Sequence, residues 1–183
     1  MVRALLAGEQ ILDLRKGGLR EERRRFDLPT RRFWLYPTTE HERPELVKPA
    51  YRRWLSEVAP PADRLRIEGW ADVVGVATIT DQSVLDALDS RFVWTRDYVE
   101  SRLHWKARQP LWVLALRAFR LLDPIDVPMR AEYAGCASWV DLHDLPAEPA
   151  SVASEPALSD ESFAARFELS ANSVPGGLPT PPD

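Results

Sequence analysis

Residues 112–122 read Trp112-Val113-Leu114-Ala115-Leu116-Arg117-Ala118-Phe119-Arg120-Leu121-Leu122, with only Arg117 and Arg120 interrupting the apolar run. A run without alternation fits a strand buried on both faces or a buried helix segment, and periodicity alone does not separate them. Pro110 and Pro124 border the run, and its length suits a strand. The expectation is a central, buried β-strand around which the rest of the fold assembles.

Working outward, Leu65 to Ile79 is the second strand-rich stretch, with Gly69 and Gly75 as the places where it would bend or bulge. Between the two stretches, Asp81 and Thr95 are cap-type residues. They introduce helices whose inward residues would be Val84, Leu85 and Leu88, then Tyr98, Val99 and Leu103. Upstream, Pro49 opens a helix carrying Tyr51, Trp54, Leu55 and Val58 on one face, ended by Pro60-Pro61. Arg32 to Tyr36 is a strand stopped by Pro37. At the start, Val2–Ala7 is a short helix closed by Gly8, Gln10–Arg15 a strand, and Lys16-Gly17-Gly18 a turn. Gly135 to Leu142 reads as the closing strand. The fold class is α+β: about five strands in a small open barrel or strongly bent sheet, with short helices.

Composition divides the chain. Residues 144–183 hold seven acids and one base, Arg166, a net −6; the whole chain carries −4, so residues 1–143 carry +2. All seven tryptophans lie in the first part. The second is rich in Pro, Ala and Ser. Ordering a residue costs roughly 1–2 kcal/mol, and so apolar-poor a segment is expected to stay disordered and dispensable for folding. The exception is 159–169, where Ser159, Asp160 and Glu161 start a possible short helix with Phe163 and Phe167 on one face. That helix would be transient, packed on the domain, or a docking point for a protein partner. No apolar run reaches the roughly 18 residues of a membrane span. With a single cysteine, Cys136, and no secretory signal, the expected place is the cytoplasm.

Three clusters of residues resemble a known family. They are Leu14-Arg15-Lys16-Gly17-Gly18 with Arg32-Phe33-Trp34-Leu35-Tyr36-Pro37-Thr38 and His41; Trp94-Thr95, Tyr98-Val99, Arg102-Leu103 and Trp105-Lys106; and Leu116-Arg117, Tyr133, Gly135-Cys136 and Ser138-Trp139. In this order they resemble domain-of-unknown-function family 1802, across roughly residues 3–142. The resemblance implies a bacterial protein and a link to restriction systems, and it implies no established activity. The opening helix, Gly8 and the strand Gln10–Arg15 also look like the start of ASCH and PUA-like barrels, which commonly bind RNA or modified bases. Gln10 stands where those barrels carry Lys.

The charge pattern suggests where a ligand would bind. Arg15, Lys16, Arg20, Arg23, Arg24, Arg25, Arg31 and Arg32 face only Glu21, Glu22 and Asp27, so residues 15–32 carry +5. Guanidinium forks suit phosphate oxygens, and Phe33, Trp34 and Tyr36 could stack on bases. The leading expectation is therefore a non-catalytic nucleic-acid-binding module acting through an arginine-rich hairpin. The competing structural reading has these charges pairing with acids elsewhere, or docking the acidic segment. A second function class is an enzyme acting on nucleic acid, with a polar site formed by Tyr36, Thr38, His41 and Arg117. A third is an adaptor binding protein through 159–169. Whether the chain is an enzyme is left open. Three scattered histidines and one cysteine make no zinc site. A restriction-type Mg²⁺ site needs Glu-x-Lys on a strand, and the chain has none. No Gly-rich phosphate loop occurs, and neither metal nor cofactor is expected.

Overall fold

The computed structural model describes residues 1–16, 28–37, 43–55, 63–105, 110–133 and 139–181. At its centre, β4 (Leu111–Pro128) runs antiparallel to β3 (Arg64–Ile79). The other edge of β4 is shared by two short strands: β1 (Leu12–Lys16) pairs with Leu111–Ala115, and β5 (Ser154–Pro156) with Phe119–Leu121. Strand β2 (Arg32–Trp34) pairs with β3 at Trp70–Asp72, giving the order β1-β4-β3-β2 with β5 also on β4. No ladder among the described residues joins β1 or β5 to β2, so the sheet is open rather than closed into a barrel. The α+β class holds, and in place of a barrel the chain has one open antiparallel sheet.

Both expected glycine irregularities are present, as register shifts between Ile67 and Gly69 and between Val73 and Gly75. At the first, Ile67 pairs with Ile125 and Gly69 with Arg120, so Leu121 to Pro124 have no partner in β3. Pro124 therefore costs no β3–β4 hydrogen bond, and β4 continues through it to Pro128 instead of ending there. A Cβ on Gly69 would come within 2.3 Å of the Phe119 carbonyl oxygen, so the close approach of the two strands requires glycine.

Alternate residues of the first part of β4, Leu111–Leu121, enter two cores, which is why that part is so apolar; Leu122, the end of the expected buried run, is exposed. Leu111, Val113 and Ala115 face α2 (Gln82–Leu88) and α3 (Arg96–His104), meeting Val84, Leu85, Leu88 and Val99. Leu114, Leu116 and Ala118 pack with Leu5 and Leu6 of α1 (Val2–Leu6), and with Leu35, Val73 and Val76. A third cluster at the far end joins Ile67, Trp70, Leu121, Val127 and Tyr133. The Asp81 carboxylate accepts the Ser83 N–H at 2.8 Å and starts α2 as expected. Thr95 occupies the cap position of α3 without a side-chain cap bond. Gly8 closes α1 with a φ of +70°, a conformation that glycine adopts without strain. Two local expectations change. Pro49–Trp54 is a 3-10 turn rather than an α-helix, and its expected partner Val58 lies outside the described residues. Residues 139–142 form no strand, and Gly135–Ser138 also lie outside.

The largest correction concerns the acidic segment. Residues 144–181 are folded onto the sheet. Strand β5 extends it, α4 (Asp160–Ala171) begins at Ser159, whose hydroxyl accepts the Ser162 N–H at 3.2 Å, and Phe163 and Phe167 pack on the first core. Beyond α4, Val174 and Leu178 are buried in the same core. The strap then crosses β3: the Val76 N–H donates to the Pro179 carbonyl at 2.9 Å, on the edge where β2 has ended. Its backbone passes so close that a Cβ on Gly75 would sit 2.8 Å from the Leu178 carbonyl oxygen.

The acids of this segment explain its composition. Asp144 pairs with Arg130 at 2.8 Å, Glu148 with Arg32 at 3.0 Å, Glu155 with Arg120 at 3.0 Å, and Asp160 with Arg117. The composition break at 143 is thus the two sides of one charge-complementary contact. Low apolar content misled because the sheet supplies most of the apolar surface.

Candidate functional site

The structure disperses the described cations of the arginine-rich segment. Arg15 pairs with the buried Asp13 at 2.6 Å and lies over the Trp139 ring at 5.9 Å. Lys16 is buried, and its ammonium donates to the Leu103 carbonyl at 2.6 Å. Burial, and then the charge of Arg102, push the Lys16 pKa down. Arg31 donates to the Pro181 carbonyl. Arg32 holds both carboxylate oxygens of Asp72, at 2.6 and 2.8 Å, and lies 4.9 Å from the centroid of the Trp70 ring. Its hydrogen bonds with Asp72 and Glu148 raise its pKa. Arg20, Arg23, Arg24 and Arg25 lie outside the described residues. The neighbouring aromatics serve packing. Phe33 meets Trp139 edge-on at 5.1 Å, and the Trp34 indole N–H donates to the Pro146 carbonyl at 3.2 Å.

The second sequence site does not assemble among the described residues. The Tyr36 hydroxyl donates to the Tyr133 carbonyl at 3.0 Å, within the third cluster. Arg117 instead lies under α4, paired with Asp160 and 4.7 Å from the Phe163 ring centroid. It lines a void of only about 10 Å³, room for at most one water. Thr38 and His41 lie outside the described residues. Phe163 and Phe167, the expected docking face, are turned into the protein's own core.

A concavity that sequence reading did not anticipate lies elsewhere. A cleft of about 590 Å³ opens where the start of β1, the 3-10 turn Pro49–Trp54, the turn Asp89–Arg91 and α4 meet. Its charged lining is Glu9, Arg53, Arg91 and Arg166. Gly8 turns the chain so that the Glu9 carboxylate takes the Trp54 indole N–H at 2.6 Å and pairs with Arg53. Burial would raise the Glu9 pKa. The bonds from Trp54 and Arg53, with the charges of Arg53 and Arg166, outweigh burial and lower it. Glu9 is therefore a carboxylate near neutral pH. Arg166 donates to the Glu9 carbonyl at 3.2 Å, and the Arg91 Nε is buried with no acceptor among the described residues. One sequence signal could have pointed here: Arg166 is the single base among the seven acids of the C-terminal segment. The other lining residues come from distant parts of the chain and share no local motif.

Among the described residues, no group of three or more His, Cys, Asp or Glu side chains is placed to hold a metal ion, and no helix is long and apolar enough to cross a membrane. No curated protein and no solved structure matches the chain. One family model does match, over residues 1–168, and so runs past the composition break through β5 and most of α4. The match extends beyond the roughly 3–142 that the sequence motifs cover, and the chain belongs to the family described as Domain of unknown function (DUF1802).

Proposed function

We propose that the protein is a non-catalytic, cytoplasmic binding module that engages nucleic acid through residues 15–32. The observation carrying this reading is the +5 charge of that segment in a chain whose net charge is −4. Lys16, Arg31 and Arg32 serve the fold, so on this reading the phosphate contacts come from Arg20, Arg23, Arg24 and Arg25, with Arg15 beside them. Both ends of the segment are anchored in the sheet, at Lys16 in β1 and Arg32 in β2. No comparable observation favours the enzyme or the adaptor, since Tyr36 and Arg117 sit in separate clusters and Phe163 and Phe167 are covered.

Filter binding of single- and double-stranded DNA and RNA at two salt concentrations tests the proposal. Affinity should fall with salt, each neutralised phosphate adding roughly −0.7 to −0.9 to the slope of log K against log salt. Replacing Arg23, Arg24 and Arg25 with Gln should flatten that slope by about two to three units while leaving the fold intact. Absence of binding at low salt, or an unchanged slope in the triple variant, removes the assignment.

A further inference from the structure

We infer that the cleft between β1, the 3-10 turn Pro49–Trp54 and α4 is a second site, built for a small phosphate monoester. This inference does not rest on the nucleic-acid reading. The cleft sets three guanidiniums against one carboxylate, a surplus of two positive charges. Glu9 is already satisfied by Trp54 and Arg53. Neither Arg91 nor Arg166 forms a direct ion pair among the described residues, although the Arg166 charge acts on Glu9 from a distance. Among the described residues, Arg166 donates to a backbone carbonyl, that of Glu9, and the buried Arg91 Nε has no acceptor. Arg91 is half-buried, and a guanidinium partly removed from water without a counter-ion favours an anion beside it; the exposed Arg166 adds a second fork at the cleft mouth. A dianion balances the surplus, and a phosphate monoester presents one with oxygens suited to the arginine fork.

The size of the cleft argues for more than a bare ion. About 590 Å³ falls in the range typical of small-molecule sites and far exceeds one phosphate group. Tyr51 lines the same cleft, with the Arg53 guanidinium 5.8 Å from its ring centroid. It offers an aromatic wall for the organic part of the ligand. The structure thus assigns Arg91 and Arg166 to the phosphate and Tyr51 to the body of the molecule.

Isothermal titration calorimetry of the full chain with adenosine monophosphate, inorganic phosphate and adenosine tests the assignment. The expected result is binding of the monophosphate, weaker binding of phosphate and none of adenosine. Arg166→Gln, an exposed position on α4, should weaken monophosphate binding at least about tenfold, the usual scale of one charge-assisted contact. Arg91→Gln should do the same. If that variant unfolds, Arg166→Gln decides the question alone. The Arg23, Arg24, Arg25→Gln protein should bind the monophosphate as the parent does. No heat at roughly millimolar ligand, where the free energy is about −4 kcal/mol, overturns the assignment, as does unchanged affinity in Arg166→Gln. Loss of binding in the Arg23–Arg25 variant alone moves the ligand out of the cleft.

Discussion

Strand β4 and the segment 144–181 are both integral to the fold, yet their sequences look opposite. From Leu111 to Leu121, β4 is largely apolar because it is buried on both faces, between α2 and α3 on one side and α1 on the other. The C-terminal segment contributes a few anchors, chiefly Phe163, Phe167, Val174 and Leu178, to surfaces that β3 and β4 have already built. Its backbone is satisfied by the sheet: the Ala157 N–H donates to the Ala118 carbonyl and the Leu122 N–H to that of Ala153, at 2.9 and 3.0 Å. Apolar content measures how much surface a segment must bring, which falls when its partner brings the rest. The four acid–arginine pairs are largely exposed and contribute little stability. They fix where the segment lies, and the apolar anchors hold it there.

The largest expected effect tests the β4 side of this contrast. Leu114 is fully buried, so Leu114→Asp places an unpaired charge in the core and should abolish folding. A soluble protein with a cooperative thermal transition would refute the central position of β4. Next comes removal of the segment by truncation after residue 143. A fully buried aliphatic side chain contributes roughly 1.5–3 kcal/mol, and Val174 and Leu178 are both buried. With the two phenylalanines and β5 also lost, the cost is about 5 kcal/mol or more. That should lower the melting temperature by roughly 10 °C or more at about 2–4 °C per kcal/mol. An unchanged midpoint would mean the segment is an accessory to the domain.

The smallest effect separates charge from burial. Hydrogen bonds from Arg130 lower the pKa of Asp144, and those from Arg32 and the Ala150 N–H lower that of Glu148. A carboxylate with a depressed pKa in the folded protein stabilises it above the unfolded value and loses that contribution as pH falls through the folded one. The urea midpoint should therefore decline below about pH 4, where free carboxylates begin to protonate. The Asp144→Asn, Glu148→Gln double variant should decline less steeply. Identical pH profiles would show that these pairs do not couple to folding.

Sequence reading succeeded where the signal is local. The glycines at 8, 69 and 75, the cap at Asp81 and the Ser159 start of α4 each follow from one residue's conformational or hydrogen-bonding preference. It failed where partners are distant. Arg32 and Glu148 are 116 residues apart, and no periodicity marks a pair that the chain brings together only after folding. The basic segment was visible as charge, but charge does not reveal that Arg32 faces Asp72 across β2 and β3. The cleft was hidden for the same reason: residues near 9, 51, 91 and 166 meet there, and only Arg166, the one base of an acidic segment, stands out in its own neighbourhood.

The strap across β3 also sets an order of events in time. Its contacts close very long loops: Val76 meets Pro179, and Arg31 reaches Pro181 from 150 residues away. Loop closure of that length is entropically unfavourable until the surfaces it joins exist, and such non-local contacts slow folding. The β3–β4 pair should form first, leaving the edge of β3 near Val76 unpaired until the strap arrives. During that interval the exposed edge can recruit a strand from another chain. Refolding yield should therefore depend on protein concentration, and the strap acts as the molecule's own guard against aggregation.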